Sequence, residues 1–294
     1  MNFKTKAFIQ GVISHFFNSE DINYWFQRSV TKSLPMNMDG YREKWEKAKL
    51  HFDSAAKYSD GTKKMIAYEF GAGWDLAAPL FLSSLGCERI YCADLIEHVK
   101  SELLNTSVRA MLSAGFIDKP VVFNQDNIRD TLRNEFAIEY LAPYDARKTD
   151  FPGSLFNLIY TTNVLEHIPQ EDIAAILREC RRLLAEDGIV SMLIDYSDHY
   201  YSIDKSISPY NFLRYSDSQW KRYNNPLQYV NRLRHCDFVR LFQDCGFQIL
   251  VAESFIAKGF SGVPEGLQVD AQFLRNYSKE DLDITSGYFV LRAA

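Results

Sequence analysis

From residue 64 onward, short apolar runs alternate with stretches whose apolar positions recur every three or four residues. The short runs at 65–70, 89–94, 138–142, 155–161, 189–195, 247–255 and 287–293 read as strands. The periodic stretches at 76–86, 96–114, 170–185 and 235–245 read as helices, several closed by glycine. Helices between successive strands imply right-handed crossovers. The predicted fold is therefore α/β: a doubly wound, mostly parallel seven-stranded sheet with helices on both faces. The last two strands have only a loop predicted between them, so at least one of them is free to run antiparallel. Within residues 117–137, Val121–Asn124 fits a short strand and Asn127–Phe136 a helix, together an insertion before the third strand.

Residues 1–60 have a different rhythm and read as a helical extension ahead of the domain at 61–294. Near the start, Phe8, Val12 and Phe16 recur at helical spacing, with Ile9 and Ile13 beside them. That face predicts a helix packed on the body, with a lid or a membrane-surface helix as alternatives. A second, charged helix is expected over 41–57, and Ser59-Asp60-Gly61 breaks the pattern. Residues 196–234 interrupt the alternation and are too aromatic for a disordered loop, which predicts an inserted cap.

Composition narrows the classes. The chain of 294 residues is 47% hydrophobic and 24% charged, as in folded globular domains. Its net charge of −5 supplies no global positive field for nucleic acid. Five cysteines without metal spacing fit a reducing, cytoplasmic setting, and no apolar run is long enough to span a bilayer. Aromatic residues, at 14%, suit both a large core and a pocket for a flat ligand.

The chemically informative segment is Glu69-Phe70-Gly71-Ala72-Gly73-Trp74-Asp75, between a strand and a helix. Glycine there permits a sharp turn and close approach of a ligand. Asp94 ends the second strand, where a carboxylate can accept hydrogen bonds from both hydroxyls of a ribose. A dinucleotide fingerprint would need a third glycine where Leu76 stands, and no phosphate-loop Gly-Lys-Ser/Thr is present.

The 69–75 segment resembles motif I of the class I S-adenosylmethionine-dependent methyltransferases. The resemblance extends through Ala93-Asp94-Leu95, Pro143-Tyr144-Asp145-Ala146, the fourth-strand segment 154–169 and the fifth-strand segment 183–195. Asp75 stands in place of the third motif glycine, Asn157 in place of an aspartate, and Glu186-Asp187 in place of Pro-Gly. The resemblance implies a Rossmann-like fold and S-adenosylmethionine as cofactor, with S-adenosylhomocysteine as product. It implies cofactor contacts from Glu69, Gly71, Ala72, Gly73, Asp94, Leu95, Asp145, Ala146 and Asn163. Glu69 and Asn163 fit equally the capping of a following helix.

Methyl transfer to a hydroxyl requires alignment and removal of a proton. His199, after the fifth strand, is the preferred base; His167, after the fourth, is the second candidate and fits an architectural role as well. Asp195, Asp198 and His199 also offer ligands for a divalent cation, a less favoured reading. Within the cap, Tyr200, Tyr201, Tyr210, Asn211, Trp220 and Arg232 are candidates to line a small-molecule acceptor site, or to form a satellite core instead. The expected acceptor is a sugar, glycan or secondary-metabolite hydroxyl. Lys221, Arg222, Arg232, Arg234 and Arg240 keep open docking to a protein or RNA. A cofactor-binding module without catalysis and a nicotinamide oxidoreductase are further alternatives. The missing Asp/Asn-Pro-Pro-Tyr/Phe signature speaks against DNA as acceptor.

Overall fold

The computed structural model describes residues 1–15, 22, 24, 28, 34–59 and 64–294. The apolar runs form β1 (Ile66–Phe70), β2 (Arg89–Ala93), β3 (Ile138–Leu141), β4 (Phe156–Thr162), β5 (Leu184–Asp195), β6 (Phe247–Phe255) and β7 (Ser286–Ala293). They make one seven-stranded sheet of order β3-β2-β1-β4-β5-β7-β6. The pairs among β1 to β5 are parallel, and β7 runs antiparallel to both β5 and β6. The strand order reverses beside β1, which opens a crevice at the carboxyl ends of β1 and β4.

The described helices are α1 (Phe3–Ile13), α2 (Met38–Tyr58), α3 (Ala77–Ser84), α4 (Ser101–Ser113), α5 (Ile128–Phe136), α6 (Gln170–Leu183), α7 (Asp217–Trp220), α8 (His235–Asp244), α9 (Ala271–Asn276) and α10 (Lys279–Asp283). Side chains from α2 to α5 form the hydrophobic layer on one face of the sheet, and those of α6 and α8 the layer on the other. In the stretch before β3 the expected helix forms, with Ile128, Leu132 and Phe136 of α5 buried one turn apart, but Val121–Asn124 forms no strand. The last two strands are joined through α9 and α10 rather than by a loop alone. No helix among the described residues is long and apolar enough to cross a membrane.

Two predictions about residues 1–60 need correction or delimiting. Phe8 and Val12 do not form the packing face of α1; they are 72% and 46% exposed, while Phe3, Lys6, Ala7 and Gln10 are buried. The amide of Phe3 donates to Asp204, and its ring joins Tyr200, Tyr215 and Tyr223, so the partner surface selects the helix face. Phe16, Asp60 and Gly61 lie outside the described residues.

Helix α2 is tied to the sheet by a buried imidazole. His51 Nδ1 lies 2.7 Å from Ser191 Oγ on β5, and Nε2 lies 3.0 Å from Thr162 Oγ1 on β4. Burial, reinforced by the charge of Lys47, pulls its pKa down to about 3, so His51 is neutral. An unfolded histidine protonates near 6.5. Below that pH the unfolded chain takes up a proton that the fold refuses, until about pH 3. The contribution of His51 is therefore complete above pH ~6.5 and declines by about 1.4 kcal/mol per pH unit on acidification. Urea unfolding of the wild type and His51→Gln should show the wild type losing about 2 kcal/mol more between pH 6.5 and 5; parallel losses would refute this linkage.

Candidate active site

The turn after β1 is shaped by two glycines in left-handed backbone, Gly71 at φ +74° and Gly73 at φ +73°. A Cβ on Gly71 would stand 2.5 Å from Val164 Cγ2, so the turn closes directly on the segment leaving β4. Around Gly73 the corresponding space is open. The amides of Gly71 and Ala72 donate to Ala93 O at the end of β2. Next to it, Asp94 accepts from the amide of Gly73 (3.0 Å) and from that of Ile96 (3.3 Å). This local bonding delays α4 to Ser101, five residues beyond the predicted start, and leaves a loop along the crevice.

The crevice contains a cavity of about 220 Å³ lined by Gly71, Asp94, Leu95, Ala146, Val164 and His167, among others. Leu95 is 62% exposed, so an apolar surface stands uncovered beside a carboxylate. That combination fits a nucleoside: the carboxylate for sugar hydroxyls, the apolar wall for a base. Glu69 lies beneath the turn, buried, with Oε2 lacking a hydrogen-bond partner. Burial pushes its pKa up to about 8, against the lowering effects of Tyr160 and Lys44. An unpartnered buried carboxyl fits a cationic amino group. The residues present thus suit S-adenosylmethionine at both its nucleoside and its amino-acid end.

The motif departures have local explanations. Asp75 accepts from the amide of Ala77 at the start of α3 and from Lys44 Nζ of α2 (2.9 Å). A carboxylate therefore caps the helix where a glycine would leave bare backbone. Trp74 stacks on His98 and on Tyr24, with ring centroids 4.5 and 5.2 Å apart. Of the predicted cofactor contacts, Gly71, Asp94, Leu95 and Ala146 line the cavity in the crevice, whereas Glu69, Ala72, Gly73, Asp145 and Asn163 do not. Asp145 is clasped by Arg147 and does not line the cavity, although Tyr144 and Ala146 do. Asn163 lines a separate cavity of about 330 Å³ with Glu43, Lys47 and Asp195.

A larger cavity, about 940 Å³, lies over the end of β5. Lys6 and Gln10 of α1, Glu43 of α2, and Asp195, His199 and Tyr201 contribute to its wall. His167 lines both this cavity and the nucleoside cavity. The two predicted bases meet here, with ring centroids 4.8 Å apart. His167 Nδ1–H donates to Tyr229 O at 2.6 Å, and burial, then the charge of His199, lowers its pKa to about 4. His199 Nε2 lies 3.5 Å from Asp195 Oδ2 and 4.0 Å from Glu166 Oε1. Burial pulls the His199 pKa down, but the neighbouring carboxylates of Asp195, Glu166 and Asp198 outweigh it and raise it overall.

Glu166 was not singled out from the sequence, although it stands in the same Leu-Glu-His-Ile run as His167. It is fully buried, and burial pushes its pKa up to about 8. Lys6 was also missed; burial lowers it to about 8 despite the charge of Asp198. A lysine early in a helix carries no sequence signal of this kind, because its partner lies almost two hundred residues away. Asp198, a predicted cation ligand, is already committed: it accepts from the amide of Tyr200 and from Asn211 Nδ2.

Among the predicted acceptor-lining residues, Tyr201 faces a cavity. Tyr200, Tyr210 and Trp220 pack in a satellite core with Phe3, Phe212 and Phe273. Asn211 is buried against Asp198, and Arg232 donates to Phe212 O, Tyr215 O and Asp217. These five residues follow the satellite-core alternative because their side chains are buried among one another, with the hydroxyls of Tyr200 and Tyr210 donating to Tyr223 O and Asp283 O. Arg234, fully buried, donates to Tyr196 O, Leu282 O and Ile284 O. Neither Arg232 nor Arg234 is available as a docking surface for a protein or RNA.

The family model described as a methyltransferase domain matches residues 37–252. Among solved structures, the chain is similar to the PH0226 protein of Pyrococcus horikoshii OT3, at 14% identity and TM-score 0.51, over 92% of this chain and 98% of that one. It is also similar to a TehB-like SAM-dependent methyltransferase of Corynebacterium glutamicum, at 12% identity and TM-score 0.44, over 94% and 97% of the two chains. A third similar structure is an S-adenosylmethionine dependent methyltransferase of Mesorhizobium loti, at 13% identity and TM-score 0.45, over 82% and 97%. No curated protein matches the sequence. With the family model spanning most of the chain over the crevice just described, the protein belongs to the methyltransferase-domain family and is a class I S-adenosylmethionine-dependent methyltransferase.

Proposed function

We propose that the protein methylates a small molecule at oxygen, and that the acceptor is a hydroxyl-rich compound such as a sugar, a glycan or a secondary metabolite. The supporting observation is that His167 belongs to the walls of two cavities, one suited to a nucleoside and one large and polar. Lys6, Gln10, Asp195, Ser197 and Gln228 on the larger wall supply donors and acceptors suited to a polyol. On this reading, residues 1–60 and 196–234 enclose the acceptor.

When bound, S-adenosylmethionine supplies an electrophilic methyl group on a sulfonium, and the bond electrons remain with sulfur. Asp94 holds the ribose hydroxyls, Leu95 and Ala146 flank the base, and Glu69 with the Gly73 turn receives the amino-acid end. Asp145, engaged by Arg147, is left out of this assignment. His199 accepts the hydroxyl proton at Nε2, and the carboxylate of Asp195, 3.5 Å away, stabilises the resulting imidazolium. His167 stays neutral, oriented by Tyr229 O.

Calorimetry should find that Asp94→Ala weakens S-adenosylhomocysteine binding by about 1–3 kcal/mol through loss of charge-assisted hydrogen bonds. Unchanged affinity would remove Asp94 from the site. With an accepted substrate, His199→Ala should lower kcat by about 10²–10⁴-fold while S-adenosylhomocysteine affinity stays constant. Turnover equal to the wild type would exclude His199 as the base.

A further inference from the structure

Glu166, His167 and His199 bring one carboxylate oxygen and two imidazole nitrogens within 4.8 Å of one another. These groups arrive from the turn after β4 and the turn after β5, which the sheet places side by side. Neither oxygen of Glu166 has a hydrogen-bond partner, although the residue is only 1% exposed. His199 Nε2 makes no closer polar contact than Asp195 Oδ2, 3.5 Å away. Buried polar atoms are nearly always satisfied, so the two bare oxygens of Glu166 point to a missing partner.

The groups behind these side chains point the same way. His167 uses Nδ1–H on the carbonyl of Tyr229, which leaves the lone pair on Nε2 available. A backbone carbonyl on the far ring nitrogen is the usual support of a metal-bound histidine. Asp195 adds a second carboxylate 3.5 Å from His199 Nε2. Two carboxylates and two neutral imidazoles would balance a doubly charged ion.

We propose that Glu166, His167 and His199 hold one divalent transition-metal ion whose open positions face the large polar cavity. Two nitrogens and an oxygen suit zinc, iron, cobalt or nickel better than calcium or magnesium, which take oxygen ligands. Ligands about 2.1 Å from one ion lie roughly 3–3.4 Å apart, so binding draws the widest pair, up to 4.8 Å apart, inward by about 1.4–1.8 Å. The proposal rests on the reading of that cavity as the acceptor site. An acceptor oxygen on the ion would lose its proton to cavity water more readily, and His199 would then serve as a ligand instead of the base.

The test is a cobalt titration of the full chain after chelator treatment, with no acceptor present. One Co²⁺ per chain with visible d–d absorption is expected. Glu166→Gln and His199→Asn should each weaken that binding by at least about 10–100-fold, the loss typical even of outer-shell changes. Both variants should keep wild-type affinity for S-adenosylhomocysteine, which reports an intact fold. Absence of cobalt binding to the wild type, or undiminished binding by both variants, overturns the ion site and leaves the methyltransferase assignment standing. Conversely, failure to find a hydroxyl acceptor would leave the cobalt signal untouched.

Discussion

Val164 fills the volume that a side chain on Gly71 would need, and this contact fixes the working end of the molecule. The turn after β1 carries the nucleoside cavity; the segment after β4 carries Glu166 and His167. Because Gly71 has no Cβ and adopts a positive φ, the two turns close on each other directly. The two cavities can therefore share a wall at His167. Any larger residue at Gly71 would push these turns apart and separate the cavities.

The polar groups around this junction fall into two kinds. In the cap, the buried Arg234 and Arg232 spend most of their donors on backbone carbonyls, joining the exit of β5 to the segments around α7 and α10. Such satisfied charges hold irregular backbone together where no ladder of strand hydrogen bonds is available. At the junction, by contrast, neither carboxylate oxygen of the buried Glu166 has a hydrogen-bond partner. A cap held by arginine–carbonyl bonds thus stands behind a bare carboxyl group, the arrangement expected where a ligand completes the bonding.

The sheet was legible in the sequence because its central strands are buried apolar runs bounded by glycine and polar turns. Asp94 and the glycine pair were legible because their roles depend on strand ends and turn chemistry, which are local. Element ends shifted where a side chain intervened, as Asp94 does before α4. The face of α1 was not legible: the tyrosines of the cap, far along the chain, make Phe3 and Ala7 the buried positions and leave Phe8 in solvent. Nor was Glu166 legible as a partner of His199, since only the adjacency of β4 and β5 joins them. Periodicity marked the cap as aromatic, but could not tell that its rings would face one another rather than a ligand.

Lys44 sits on α2 and reaches the motif-I turn through Asp75, while Glu43 on the same helix lines the large polar cavity and, with Lys47, the smaller one beside Asn163. His51 pins that helix farther along to β4 and β5. A swing of α2 about the His51 pivot, wide enough to enlarge these cavities, would drag Lys44 off Asp75 and loosen the turn after β1. Remodelling this helix to widen the cavities on one side therefore unsettles the glycine turn on the other.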